Sequence, residues 1–205
     1  MTPYAVPLIS RAAPLIVDNV DTDTIIPSRE MRTTGRSGLS EGLFAPWRYT
    51  DADSRTENPD FVLNQEAYRD TKILAGGANF GCGSSREHAV WALREWGIRA
   101  ILAESFAPIF RGNCLRNGIL PIALPRAAVE DLAGATVTVQ LPEQTAYGPR
   151  DSYSFIIEPE ARQMLLEGLD AIDLTATQSD AIAKWTQADR KARPWVYLEA
   201  AEGAK

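Results

Sequence analysis

The stretch NFGCGSSREHAVW, residues 79–91, crowds two glycines, two serines, an arginine and the sole histidine of the chain into one short segment. Glycines let a backbone approach a ligand closely, and a helix N-terminus presents unpaired N–H groups to an anion. Ser84 with Glu87 three residues on has the spacing of a capping box, which would open a helix here. Arg86 then falls in the first turn, where the helix dipole disfavours a cation by about 0.3 kcal/mol or more. A cation set against its local preference points to a partner of opposite sign. These residue types favour an anion site.

Other chemistries fit the segment less well. A phosphate-binding P-loop needs Lys and then Ser or Thr after its last glycine, whereas Gly83 is followed directly by Ser84. A dinucleotide fingerprint starting at Gly81 would need its third glycine where Arg86 stands. A carboxylate is the better anion, since a guanidinium grips it as a planar fork. Ser84 and His88 are four residues apart, but a serine hydrolase carries its nucleophile on a sharp elbow and its base on another element. His88 therefore reads as a packing or hydrogen-bonding residue. Starting a calcium loop at Asp21 puts Ile26 and Arg32 where glycine and glutamate belong. One histidine and two cysteines offer no metal constellation, and Cys82 and Cys114 read as free thiols.

The elements that must hold this segment can be read on either side of it. KILAGG is a short buried strand, SSREHAVWALREWG a helix with Ala89, Val90, Leu93 and Trp96 on one face and Gly97 as its stop, and IRAILAESF a returning strand. Strand, glycine turn, helix and strand in succession imply a right-handed parallel crossover. PIFRGNCLRNG follows as a short helix closed by Gly118, then ILPIAL as another strand. Upstream, APLIV (13–17) reads as a strand leading into the acidic turn DNVDTDT. Residues 32–60 form a long polar stretch holding Phe44, Trp47 and Tyr49, and a loop of that length is expected to be functional. Downstream, ATVTVQL and SYSFIIE alternate as strands and are expected to pair antiparallel around PEQTAYGPRD. PEARQMLLEGLD starts a helix on proline, and a last helix spans about 179–192 before a frayed tail. The fold class is α/β, one domain with a mixed sheet.

A chain of 205 residues with net charge −6 lacks the broad basic surface of a nucleic-acid binder, although Arg86, Arg94, Arg99, Arg111 and Arg116 make a local basic excess. The N-terminus has neither the charged nor the apolar part of a signal peptide, and no apolar run approaches the roughly 18 residues of a membrane span. A cytoplasmic protein is expected.

DTDTIIPSREM, EGLFAPWRY, PDFVLN, NFGCGSSREHAVWAL and SFAPIFRGNCLRNGILPI together resemble the 3-isopropylmalate dehydratase small subunits of the aconitase family, over about Val17 to Leu174. The resemblance implies the swivelling β/β/α domain over residues 1–205, with a divergent helix and tail from about 176. It implies a hydro-lyase of leucine biosynthesis that moves a hydroxyl between neighbouring carbons by dehydration and rehydration. It also implies a large-subunit partner carrying a [4Fe–4S] cluster. Holding such a cluster typically takes three cysteines and this chain has two, so no cofactor is expected here. Carried onto this sequence, the catalytic residues are Ser84 as base, Ser85 beside it and Arg86 on a substrate carboxylate. Asp23 with Thr24 lies at the site edge, and Arg36 of TTGRSG is a second substrate-binding cation.

After IIP the chain departs from the family pattern, with Ser28, Arg29, Glu30 and Met31 where lysine and then aromatic and aliphatic residues are usual. That departure motivates a paralogue for a smaller 2-hydroxy diacid of the methylmalate or citraconate type, with the 28–50 loop selecting the side chain. A non-catalytic carboxylate-binding assembly module is the reading from another class.

Overall fold

The computed structural model describes residues 2–31, 35–51 and 53–197, so Thr33 and Thr34 of the TTGRSG segment and the tail from 198 lie outside the described residues. Residues up to Leu169 and those from Asp170 form two compact units.

In the first unit, β1 (Leu8–Leu15) leads through the short helix α1 (Thr22–Ile25) to α2 (Ala45–Arg48) and a small hairpin of β2 (Tyr49–Asp51) and β3 (Thr56–Glu57). β4 (Ile73–Gly76), α3 (Glu87–Trp96), β5 (Ala100–Ala103), α4 (Pro108–Arg116) and β6 (Leu120–Ala123) follow, then α5 (Arg126–Leu132). β7 (Thr136–Gln140), β8 (Thr145–Tyr147), β9 (Ser152–Ser154) and α6 (Pro159–Glu167) complete the unit. Seven strands form one mixed sheet in the order β6-β5-β4-β1-β7-β8-β9. β6, β5, β4 and β1 are parallel, whereas β1 meets β7 antiparallel, with Leu8 opposite Val139 and Leu15 opposite Gly76 of β4.

Alternation along the strands divides the core between the two sheet faces. Leu74 and Ile101 join Phe80, Val90, Leu93 and Phe110 in one buried cluster, while Ile73, Leu102 and Ile122 join Val129, Leu132, Val137 and Leu165 in the other. The helix after the glycine turn buries Ala89, Val90, Ala92 and Leu93 and ends on Gly97 at φ 119°, as its periodicity predicts. The parallel β4-α3-β5 unit is likewise as expected.

Several expectations need correction. The first strand begins at Leu8, not Ala13, because Ser10 and Arg11 point outward and bond across to Lys72 and Gly134 while Leu8, Ala12 and Ala13 fill the core. PEQTAYGPRD is not a simple turn: Gln144, at φ 51°, closes a tight bend and Thr145–Tyr147 inserts as β8 between the two strands expected to pair. The 32–60 stretch is not structureless. Leu39, Leu43 and Phe44 are buried, Phe44 stacks on Trp47 at 6.0 Å, and Arg48 inserts beneath them to donate to the Ser40 carbonyl at 2.7 Å. Four short helices, α1, α2, α5 and α7 (Ala171–Ala176), were not expected, the last opened by a capping box of Asp170 and Asp173. In the second unit α8 spans Ser179–Ala192, as read from sequence. Among the described residues no helix is long and apolar enough to cross a membrane.

Candidate active site

The glycine-serine loop leaves the C-terminal end of β4 and is fixed from two directions. Residues 20–22 run alongside it, with the Gly81 N–H donating to the Val20 carbonyl at 2.7 Å and the Thr22 N–H to the Cys82 carbonyl at 2.9 Å. The Thr22 hydroxyl, almost wholly buried, donates to the Ser84 carbonyl at 2.9 Å. From the other side the Phe110 ring of α4 packs against Gly81, which adopts φ 77°. A Cβ at Gly81 would lie 2.1 Å from that ring. Gly81→Ala is therefore expected to destabilise the chain by about 2–5 kcal/mol, adding left-handed strain to overpacking. Chemical denaturation of the variant checks this, with a lowered midpoint and an unchanged slope as the expected result.

The capping box expected at Ser84 is not formed. The helix opens two residues later, at Glu87, with Arg86 as an N-cap that makes no side-chain cap bond. Glu87 instead accepts from the Asn117 side chain at 2.7 Å, which draws its carboxylate away from the loop. The consequence is chemical: Ser84 and Ser85 are left exposed and are not committed to capping.

Ser84, Ser85 and Arg86 line a cavity of about 170 Å³ together with Thr22, Gly81 and Gly83, closed on the far side by Ala107 to Phe110 and Asn113. Arg86 is the N-cap of α3 and Ala107 that of α4, so the positive ends of two helix dipoles border one small space. Arg86 forms an ion pair with Asp23 of α1, the partner of opposite sign that its position called for. With Asp23 about half exposed, that pair contributes under about 1 kcal/mol and can yield to a stronger ligand. Thr24 donates its N–H to Asp21, the N-cap of α1, at 2.6 Å and so helps set the turn that presents Asp23.

Arg36 is not among the residues lining this cavity. Its guanidinium lies over the Trp91 ring at 4.9 Å, on a different cavity. The segment carrying it is tied to α3 by Glu95, whose carboxylate accepts the N–H groups of Gly38, Leu39 and Ser40 at 2.6, 2.6 and 2.8 Å. Partial burial opposes the Glu95 charge, but those three bonds outweigh it and hold the carboxyl below its usual range. A lowered folded-state value means the anchor is fully present above the ordinary glutamate range and is lost as pH falls through the lowered value. The protection factors of the Gly38, Leu39 and Ser40 amides, taken relative to the intrinsic exchange rate at each pH, are expected to fall in Glu95→Gln, and in the parent chain on acidification.

His88 packs at 4.7 Å from the Trp91 ring, in keeping with a packing role. Cys82 is half-buried in the loop, Cys114 is fully buried in α4 with its thiol pushed up by burial, and both are free. Sequence reasoning missed Thr22, Phe110 and Asn113 as parts of the site. TDT and SFAPIFRGN contain them, but nothing in their spacing shows that they converge on the glycine loop.

A parallel β4-loop-α3-β5 unit with the glycine-serine loop at the strand's carboxyl end is the arrangement of a defined class. Residues 9–127 match the aconitase C-terminal domain family. The 3-isopropylmalate dehydratase small subunit of Cupriavidus necator is 53% identical, covering 92% of this chain and 95% of that protein. Its counterpart from Rhodospirillum centenum is 52% identical over 90% of this chain and 94% of the relative. The crystal structure of a 3-isopropylmalate dehydratase from Methanocaldococcus jannaschii superposes with a TM-score of 0.67 at 28% identity, covering 87% of this chain and 98% of the other. The chain belongs to the aconitase family and, within it, to the 3-isopropylmalate dehydratase small subunits.

Proposed function

We propose that this chain is the small subunit of a cytoplasmic hydro-lyase that interconverts 2-isopropylmalate and 3-isopropylmalate in leucine biosynthesis, acting only with a large subunit. The observation that carries the reading is the joining of Ser84, Ser85 and Arg86 with two helix N-termini on one small cavity, in a chain 53% identical to a named small subunit.

Dehydration needs a base for a C–H next to a carboxylate, and stabilisation for the charge that develops. In this proposal Ser84 Oγ takes the proton, the C–H electron pair becomes the double bond, and the hydroxyl leaves the neighbouring carbon. Re-addition at the other carbon completes the isomerisation. A serine is a poor base in water. The helix N-termini and Arg86 lower the cost of its alkoxide, and the Arg86 fork also holds the substrate carboxylate. Ser85 lines the same cavity as a hydrogen-bonding neighbour. Asp23, presented by Thr24, keeps Arg86 aimed at the cavity until substrate displaces it. Arg36, over Trp91 on the other cavity, has to leave that ring to supply a second cation here. The 1–205 chain works as one swivel domain, with the helix from about 176 as its divergent extension.

A [4Fe–4S] cluster does not fit the residues of this chain. Cys82 and Cys114 sit in unrelated settings, and among the described residues no group of three or more His, Cys, Asp or Glu is placed to hold a metal ion. The cluster is assigned to the large subunit, and the departure of the hydroxyl falls to that partner.

The smaller-substrate reading is not favoured by the relatives, which are named as isopropylmalate dehydratase small subunits, and within the 28–50 loop Phe44 is fully buried and Met31 and Trp47 pack against the core. Substrate choice is tested by combining the chain with its large subunit and measuring kcat/KM on a series of 2-hydroxy diacids. The isopropyl substrate should exceed the methyl analogue by at least about tenfold, the discrimination expected for missing methylenes. A preference for the methyl substrate would overturn the assignment.

A further inference from the structure

We infer that the chain carries a second anion site, for a small multiply charged oxyanion of the phosphate or polycarboxylate type, built from Arg94, Arg99 and Arg116. It lies at the opposite end of the parallel strands from the serine loop. Arg99 immediately precedes β5 and Arg116 ends α4 just before β6, whereas the loop leaves the far end of β4. A cavity of about 440 Å³ is lined by these three arginines with Arg36, Trp91 and Asn117, and among the described residues Glu95 is its one acidic residue. A second cavity of about 320 Å³ shares Arg94 and Arg99 and adds Lys72.

This concentration of unneutralised cations stands out in a chain of net charge −6. Several arginines elsewhere meet carboxylates, as in Arg55 with Glu30, Arg111 with Glu158 and Arg126 with Asp18, while Arg11 and Arg48 bond backbone carbonyls singly and not as a cluster on one cavity. Among the described residues none of Arg94, Arg99 and Arg116 has a carboxylate partner. Arg94 donates to the Asn117 carbonyl, Arg99 to the carbonyls of Arg94 and Ile98 at 2.8 Å each, and Arg116 to the Asn113 side chain. Glu95 is already occupied by three backbone N–H groups. Each guanidinium has five N–H donors, so most remain available. Burial disfavours the charge on Arg94 and on Arg99, and the nearby Arg94 charge further disfavours that on Arg99. Holding two partly desolvated like charges together is unfavourable, and an anion between them would relieve it. Tyr4 lines the second cavity, and its buried hydroxyl has no hydrogen-bond partner among the described residues.

The cavity's size suits a small ligand. Its indole does not offer a free stacking platform, since Arg36 lies over the Trp91 ring and His88 packs beside it. That geometry favours a compact oxyanion over a nucleobase.

Isothermal titration of the full-length chain at low salt, with pyrophosphate and separately with citrate, tests the site. At least one should bind at a single site, weaken with added salt, and weaken at least tenfold in Arg94→Gln/Arg99→Gln. Arg116 is exposed, so Arg116→Gln keeps the fold and should weaken binding several-fold. Arg86→Lys should bind as the parent does, which separates this site from the serine-loop cavity. Pyrophosphate preference would assign phosphate chemistry, and citrate preference polycarboxylate chemistry. Absence of binding by the parent chain to either anion, parental affinity in Arg116→Gln, or loss of binding in Arg86→Lys would overturn the inference.

Discussion

Ser84→Ala is expected to lower kcat of the assembled enzyme roughly a thousandfold, within the range for loss of a proton-transferring group aided by electrostatic stabilisation. KM should change little, because the carboxylate contacts belong to Arg86. The fold should not suffer. Ser84 is exposed, and it is the Ser84 carbonyl, unaffected by the substitution, that accepts the Thr22 hydroxyl. Since the helix is capped at Arg86 and not at Ser84, even the usual cost of losing a cap does not apply. A surface change of this kind shifts stability by no more than about 0.5 kcal/mol. Steady-state kinetics alongside a melting curve separate the two effects, and near-normal turnover in the reconstituted variant would remove Ser84 as the base.

Arg86→Lys should be nearly as damaging, by roughly a hundredfold in kcat/KM, although charge is conserved. An ammonium cannot make the two parallel bonds by which a guanidinium holds a planar carboxylate, and it aims a single point charge from a flexible stem. The loss should appear with every diacid tested, since the carboxylate is common to them all. Asp23 adds a control. Its ion pair with Arg86 competes with substrate, so Asp23→Asn should leave substrate affinity unchanged or raise it, where Arg86→Lys lowers it. If Arg86→Lys kept parental kcat/KM, Arg86 would be only the surface partner of Asp23.

Much of the scaffold was legible because it is written in local periodicity. The apolar face of α3, its terminal Gly97, and the four-residue strands on either side are each specified by residues close in sequence. The loop itself was misread in detail for a physical reason. Ser84 and Glu87 have capping-box spacing, but Asn117, thirty positions away, binds Glu87, and Phe110 wedges against Gly81, so tertiary contacts override the local preference. The true capping box, Asp170 with Asp173, went unnoticed because it opens a helix of only six residues. The 32–60 segment looked like an open loop since its polar residues outnumber its anchors. Leu39, Leu43 and Phe44 are few but fully engaged, and three N–H groups on one glutamate do the work of a strand. The cavity of Ser84 needs residues from α1, the glycine loop and α4 at once, which no window of sequence displays.

The most direct test is to follow 2-isopropylmalate with this chain alone, with its large subunit alone, and with the two combined. The account predicts turnover only in the combined sample, with iron in the complex and none on this chain by itself. Conversion of substrate by the lone chain, iron bound to it, or a combined sample inactive on isopropylmalate would contradict the account.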